Sequence, residues 1–231
     1  MPNTNRNRAY LQLAVFILGF FAVWTVRATY GYAVDESLAS PGARVAYSTA
    51  VKFLLWVVPA YVFVRWVRGQ RPLDYLGVTR MPSLRQWAWC LAVLGCFLAA
   101  LTVSETTILD RKHFEWARVA ANATAPGLTL AIAVPLFEEI LFRGLFTNEI
   151  RRFRGPGMAA VLTALLFAAV HLPNWTWRYG LSGALLANAA GVFVFGLVAA
   201  WLYLRTSSIW PPTIAHIANN LLASLLVIGS R

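Results

Sequence analysis

The stretch AVPLFEEILFRGLF, residues 133–146, places three ionisable groups inside a run of apolar residues. These groups are the adjacent carboxylates of Glu138 and Glu139 and the guanidinium of Arg143. An ionisable side chain inside a membrane helix is costly unless it is paired or faces a wet cavity, so it indicates a functional site. Glu139 and Arg143 stand four residues apart on one helical face, which predicts a salt bridge. Glu138 is rotated away from that face by about 100° and has no partner on its own helix, so the cluster carries a surplus carboxylate.

Two of the three histidines also lie in apolar segments, each with a partner one helical turn away. "FAAVH" places Phe167 and His171 on one face of a helix, and "HIANN" does the same for His216 and Asn220. An interhelical hydrogen bond would explain a single membrane histidine, but two such pairs favour a shared site. The third histidine, His113, lies in the charged stretch "LDRKHFEWAR" and is predicted to be a solvated loop residue outside that site.

These residue types suit hydrolysis of an amide inside a membrane. A desolvated carboxylate such as Glu138 is a plausible general base for water, and a neighbouring imidazole can share the proton and pass it to a leaving amine. A second imidazole and a carboxamide are donors suited to a developing oxyanion. The sequence contains neither HExxH nor GxSxG, the signatures of competing protease mechanisms.

Non-catalytic interpretations remain open for the same residues. The charges could form a polar network that locks helices together, although a lock needs only one acid per base. Glu138 could serve a small transporter as a proton relay. The chain could also be a membrane scaffold or an immunity protein, which would not need a Glu, two His and an Asn together.

The elements that position these residues are predicted to be membrane helices. The chain has 231 residues, of which 59% are hydrophobic, against the roughly 45–50% of soluble domains. Most of its apolar segments are close to the ~17–25 residues of a membrane helix, and they cover residues 11–26, 49–67, 86–104, 125–147, 158–173, 184–204 and 209–229. The sequence therefore predicts an all-α polytopic bundle of about seven transmembrane helices. The first apolar segment could instead be a secretory signal. Cys90 and Cys96 both lie in the third apolar segment and are expected to contribute to packing.

The turn "RGPG", residues 154–157, is predicted to join the fourth and fifth segments as an antiparallel hairpin. Glu138 precedes the centre of this turn by about 17 residues and His171 follows it by about 16, so at ~1.5 Å per residue both lie ~23–26 Å from the turn. His216 lies ~16 Å beyond Arg205 by the same rise. The carboxylate, the two imidazoles and the amide can therefore converge near the middle of the membrane.

The distribution of basic residues predicts the orientation. A cytoplasmic N-terminus puts 11 Lys and Arg residues on the cytoplasmic side and 7 on the other, which agrees with the positive-inside rule. The C-terminus is then outside the cytoplasm. The excess of positive charge suits anionic lipid headgroups as partners. Nucleic acid is not expected, because no soluble basic domain is present to bind it.

Three motifs resemble those of the CAAX protease and bacteriocin-processing family of intramembrane endopeptidases. "EEILFR" is similar to its EExxxR motif, "FAAVH" to its FxxxH motif and "HIANN" to its HxxxN motif, in the family's order. The resemblance covers about residues 130–225. It implies a catalytic core at residues 126–229, preceded by N-terminal transmembrane helices and loops at residues 1–125 that carry no recognised motif.

The resemblance also implies a role for each motif residue. Glu138 would activate water together with His171, while His216 and Asn220 would hold the oxyanion. Glu139 and Arg143 would support Glu138 in position, and Phe167 completes its motif as a supporting residue. The substrate would be a hydrophobic or lipid-anchored, CAAX-like protein or peptide.

Metal dependence has two readings. The resemblance implies a glutamic endopeptidase without a metal cofactor. One Glu and two His, namely Glu138, His171 and His216, could alternatively form a three-ligand zinc site with an open water position. Asn220 favours the metal-free reading, because a carboxamide is a poor zinc ligand but a good hydrogen-bond donor.

Overall fold

The computed structural model describes residues 3–108, 112–114 and 124–228, and nearly all of them are helical. The α-helices are α1 (Asn3–Ser37), α2 (Pro41–Lys52), α3 (Val58–Val62), α4 (Pro72–Tyr75), α5 (Leu84–Val103), α6 (Ala125–Glu139), α7 (Asn148–Ala169), α8 (Leu172–Tyr179), α9 (Gly183–Thr206) and α10 (Trp210–Leu225). π-Helical turns extend several of them, at Phe53–Val57, Phe63–Val67, Ser104–Ile108 and Ile140–Thr147. Side-chain oxygens of Ser40, Ser83, Thr124 and Ser182 cap the first turns of α2, α5, α6 and α9, which fixes where these helices begin.

The predicted all-α polytopic bundle is confirmed, and the chain is an integral membrane protein. Within the described residues, five helical stretches are long and apolar enough to cross a membrane: Asn7–Gly31, Pro41–Val67, Leu84–Thr107, Gly127–Trp177 and Gly183–Thr206. The fourth stretch contains two of the predicted segments, because the chain turns within it. The seventh segment forms α10, whose 16 residues fall just short of the ~17–25 that usually span a bilayer.

The end of the seventh segment differs from the prediction. The helix stops at Leu225, and the next residues form strand β2 (Leu226–Ile228) instead of continuing to residue 229. This strand pairs antiparallel with β1 (Lys112–Phe114), inside a stretch expected to be a loop. The β-branched side chains of Val227 and Ile228 favour extended backbone, and the pairing satisfies backbone groups that would otherwise end unpaired.

The predicted hairpin between the fourth and fifth segments is confirmed. Gly155 has a φ of 77° and a ψ of 171°, which breaks the helix, and the following Pro156 cannot donate a helical hydrogen bond. Thr147 and Thr163 lie eight residues before and after Gly155, and their hydroxyls are 3.2 Å apart. Further from the turn, the rings of Phe142 and Phe167 have centroids 5.1 Å apart. The two arms therefore run antiparallel and bring the motif segments face to face.

Glycines allow two close approaches around the hairpin. A Cβ at Gly196 of α9 would lie 3.0 Å from the Cα and Cβ of Ala164 in α7. A Cβ at Gly144 would lie 2.8 Å from the carbonyl oxygen of Leu76, just after α4. All eight residues of the π-helical turn Ile140–Thr147 are buried. The charged motif therefore enters the centre of the bundle.

Candidate active site

Glu139, Arg143 and His216 form one buried polar cluster. Nη1 of Arg143 donates to Oε1 of Glu139 over 3.0 Å, so the predicted salt bridge is confirmed. Nη2 of Arg143 donates to the carbonyl oxygen of Gly196 over 3.2 Å, and the guanidinium carbon lies 4.4 Å from the centre of the Phe167 ring. Nδ1 of His216 is 2.9 Å from the same Oε1 of Glu139. Arg143 and Glu139 are both fully buried, so the charge of each is balanced by the other.

The backbone changes its helical period at the paired carboxylates. Glu139 is the last residue of α6, and the wider π-helical turn begins at Ile140. Pro135 lies inside α6 one turn earlier and lacks the N–H that a regular helix needs there. π-Helical turns often occur at functional sites. Here the π-helical turn begins directly after Glu138 and Glu139 and carries the chain through the buried centre of the bundle.

Glu138 makes an ion pair that the sequence did not predict. Its Oε1 lies 2.5 Å from Nζ of Lys52, at the C-terminal end of α2. Glu138 lacks a partner on its own helix, as expected, but another helix supplies one. Lys52 and Arg143 therefore match the two carboxylates with two cations, and the expectation of a surplus carboxylate is wrong.

The second oxygen of Glu138 faces His216. Oε2 of Glu138 lies 3.7 Å from Nε2 of His216, which is too far for a hydrogen bond. This oxygen is buried and has no hydrogen-bond partner among the described residues. If Glu139 is ionised, Nδ1 of His216 must carry a proton to donate to it, so the neutral ring presents a lone pair at Nε2. Two acceptors then face each other across 3.7 Å.

His171 joins this cluster through Phe167. Its Nδ1 lies 2.7 Å from the carbonyl oxygen of Phe167, so the neutral ring is protonated at Nδ1 and free to accept a proton at Nε2. The Phe167 ring centroid is 5.1 Å from that of His171 and 5.5 Å from that of His216. The predicted pairing of Phe167 with His171 one turn apart is confirmed, and the Phe167 ring contacts both imidazoles.

Asn220 and His113 are less closely tied to the other predicted residues. Asn220 is half-buried on α10, one turn beyond His216, and within the described part of the chain its amide makes no hydrogen bond. The side chain of His113 lies outside the described residues, although its backbone belongs to β1. A single polar cavity lined by Glu138, His171, His216 and Asn220, with His113 outside it, stays a prediction.

Two of the side chains that the zinc alternative would use, Glu138 and His216, already contact other charged groups. Within the described residues, no group of three or more His, Cys, Asp and Glu side chains is placed to hold a metal ion. An ammonium, Lys52 Nζ, already contacts one oxygen of Glu138, and Glu139 already engages Nδ1 of His216. A second cation at Glu138 would have to displace or repel the first.

Comparison with known proteins identifies the region that carries these residues. Residues 120–222 match a family model described as "Type II CAAX prenyl endopeptidase Rce1-like". This match confirms the predicted resemblance of the region to the CAAX protease family. An Escherichia coli protein called "Uncharacterized 24.3 kDa protein" is 25% identical over 228 residues, which cover 94% of this chain and 96% of that protein. No solved structure matches the chain significantly.

Lys52 and Trp24 lie near the site but outside the matched region, on helices without a recognised motif. Lys52 contacts Glu138, and the indole N–H of Trp24 in α1 donates to the carbonyl oxygen of Val170 over 2.9 Å, next to His171. Lys52 could have been found from sequence, because it is a charge inside an apolar segment, the same signal that identified Glu138. No sequence signal distinguishes Trp24 from the other tryptophans of the chain.

Proposed function

We propose that this protein is an intramembrane endopeptidase that hydrolyses a peptide bond with a water activated by Glu138. The observation that carries this proposal is the unpartnered Oε2 of Glu138, buried and 3.7 Å from Nε2 of His216, in a region that matches a protease family. A buried carboxylate oxygen beside an imidazole nitrogen is the arrangement that a general base for water requires.

The geometry suits a water that bridges the two acceptors. A water oxygen about 2.8 Å from each of two atoms 3.7 Å apart subtends an angle of roughly 80–85° between them, so it can direct one O–H to each. Its lone pairs then point away from Glu138 and His216, toward an approaching carbonyl carbon. Attack forms the C–O bond as Glu138 Oε2 takes one proton of the water.

The remaining groups serve the tetrahedral intermediate. His171 can accept at Nε2 the proton that Glu138 took from the water and deliver it to the leaving amine, which completes cleavage of the C–N bond and restores the Glu138 carboxylate. Asn220 offers an amide donor for the oxyanion. His216 can donate from Nε2 only as an imidazolium, a state that the Glu139 carboxylate at Nδ1 would stabilise. In this proposal Glu139 thus acts through His216 as well as through Arg143.

The substrate we propose is a hydrophobic or lipid-anchored peptide whose scissile bond enters the membrane. The site lies in the buried centre of a membrane bundle, so a soluble, polar segment would have to lose its hydration to reach it. The matching family model is described as a prenyl endopeptidase of CAAX sequences. A peptide ending in a prenylated Cys-aliphatic-aliphatic-X sequence is therefore the first substrate to test, beside the same peptide without the prenyl group.

Glu138→Gln tests the function directly. The carboxamide keeps the size of the side chain and an oxygen for Lys52 but cannot accept the proton of water. We expect a loss of cleavage on the order of 10²–10⁴. Purified protein in detergent would be assayed with the quenched fluorescent prenylated peptide, and its folded state checked by size-exclusion chromatography and thermal unfolding.

Chelation separates the two hydrolytic mechanisms. We propose that activity survives exhaustive chelation and that no stoichiometric metal accompanies the active protein. Stoichiometric zinc, with activity lost to the chelator and restored by zinc, would support the metal mechanism instead. Full cleavage by folded Glu138→Gln would reject both mechanisms.

A structural lock is the second candidate function, favoured by the pairing of Lys52 with Glu138. Two acids matched by two bases are what a non-catalytic scaffold would contain. A scaffold predicts that Glu138→Gln lowers the unfolding temperature while no peptide is cleaved by the unmodified protein. The protease predicts cleavage by the unmodified protein and its loss in a folded variant.

A further inference from the structure

Lys52 reaches the proposed base from the part of the chain that carries no protease motif. It is the last residue of α2, and its side chain is only 17% exposed. Its ammonium nitrogen lies 2.5 Å from Oε1 of Glu138. A lysine so placed has given up most of its hydration, so the groups around it must stabilise its ammonium.

Two tryptophans hold this ammonium against Glu138. Nζ of Lys52 lies 4.9 Å from the ring centre of Trp56 and 5.7 Å from that of Trp24, within the range of cation–π attraction. Trp56 is 1% exposed and packs edge-on against Phe142 of the motif segment, with ring centroids 5.7 Å apart. Trp24 is fixed by its hydrogen bond to the carbonyl of Val170. The two tryptophans therefore restrict the rotation of the Lys52 side chain and keep its ammonium beside Oε1 of Glu138.

The contact makes the two oxygens of Glu138 inequivalent. Oε1 is held by the ammonium, so Oε2 is the oxygen left facing Nε2 of His216. The positive charge also favours the ionised carboxylate, which is the form that can accept a proton. Loss of Lys52 would remove both effects while leaving every family motif intact.

We propose that Lys52 is a positioning residue that keeps Glu138 ionised and aims its Oε2 at the reacting water. This inference rests on the proposed endopeptidase function. It assigns a mechanistic role to the N-terminal helices, because α2 supplies the charge, and α1 and the π-helical turn after α2 supply the two tryptophans that hold it.

Lys52→Met is the decisive variant, since methionine keeps much of the apolar length and removes the charge. We expect kcat to fall by on the order of 10² with KM nearly unchanged, because a misplaced base lowers the rate more than substrate binding. A carboxyl without a nearby cation keeps its proton to higher pH, so the acid limb of the pH–kcat profile should move to higher pH. The other titratable or charged groups that face Glu138 are His171, His216, Glu139 and Arg143, and all of them remain in this variant.

Two matched variants make the result interpretable. Lys52→Arg keeps the charge and should keep the acid limb of the unmodified protein. Arg65→Met removes an exposed cation from the π-helical end of the same segment and should leave both kcat and its pH profile unchanged. A Lys52→Met protein with normal kcat and an unmoved acid limb would overturn the inference.

A chemical rescue keeps the inference testable if Lys52→Met does not fold. Lys52→Ala would be assayed with added propylammonium, which can place an ammonium beside Glu138, and with propanol as the neutral control. Saturable recovery of kcat by propylammonium alone supports the role of Lys52, and no recovery in folded protein contradicts it. Cleavage that persists in Glu138→Gln would instead reject the proposed function, and the role of Lys52 with it.

Discussion

At the scale of single residues, the two adjacent glutamates have different surroundings and hence different expected roles. Glu139 is fully buried, and its Oε1 accepts from both Arg143 and His216. Glu138 has one oxygen on Lys52 and the other unpartnered. The Lys52 side chain is partly exposed, whereas that of Arg143 is fully buried. Oε2 of Glu139 also lacks a hydrogen-bond partner among the described residues, but Oε2 of Glu138 is the one that faces Nε2 of His216. We therefore expect the first glutamate to take part in the chemistry and the second to hold the site together.

Glu139→Gln should consequently damage the fold more than Glu138→Gln does. The carboxamide can still accept a hydrogen bond from Arg143, but the buried guanidinium loses its counter-ion. Breaking a buried ion pair by removing one partner typically costs about 3–5 kcal/mol. Thermal unfolding in detergent of the two variants, side by side, measures the difference. Equal unfolding temperatures for both would contradict the division of roles.

At the scale of elements, two partly buried ion pairs join the second predicted segment and the residue that follows it to the motif hairpin. Lys52 pairs with Glu138, and Arg68 pairs with Glu149, which also accepts from the hydroxyl of Tyr75. The basic partners follow one another along one segment in the same order as the acidic partners along the other, so these segments run parallel. Burial, reinforced by the charge of Glu149, raises the pKa of Tyr75, so the hydroxyl remains a donor at neutral pH. The second predicted segment is thus joined to the hairpin near both of its ends.

The contact between α9 and α7 gives a prediction at the same scale. Gly196→Ala would place a methyl group 3.0 Å from Ala164 and would move the carbonyl that accepts from Arg143. We expect a loss of stability of about 1–3 kcal/mol, as for other overpacked cores, and lower activity because Arg143 orients Glu139. The measurement is the thermal unfolding temperature together with the rate of peptide cleavage.

Gly191→Ala is the matched control for this substitution. Gly191 lies in the same helix, and a Cβ there would meet nothing within 4 Å. Alanine is the better helix former by about 0.8–1.0 kcal/mol, so this variant should be neutral or slightly more stable. Similar losses in both variants would show that glycine matters in α9 for a reason other than the approach to α7.

At the scale of the whole molecule, local spacing predicted much of the fold and part of the site. Segment lengths gave the helices, the four-residue spacing of Glu139 and Arg143 gave their salt bridge, and "RGPG" gave the hairpin. The contact between Lys52 and Glu138 joins residues 86 apart in sequence, so no helical period could reveal it. The strand at Leu226–Ile228 was missed because its partner lies in a distant loop. What sequence spacing could not supply was the packing of one segment against another.

The orientation of the whole bundle in the membrane is the remaining prediction. The parallel course of the second and fourth segments and the turn at Gly155 agree with a chain that crosses the membrane at every segment. The larger number of Lys and Arg residues on the side of the N-terminus then predicts that this side is cytoplasmic and that the C-terminus is outside.

A C-terminal fusion to a reporter active only outside the cytoplasm should be active, and the same reporter inserted in the turn at residues 154–157 should be inactive. A reporter restricted to the cytoplasm should give the reverse pattern at both sites. If only the cytoplasmic reporter is active at the C-terminus, the bundle has either the opposite orientation or an even number of crossings. An even number is expected if the 16-residue α10 does not span the bilayer.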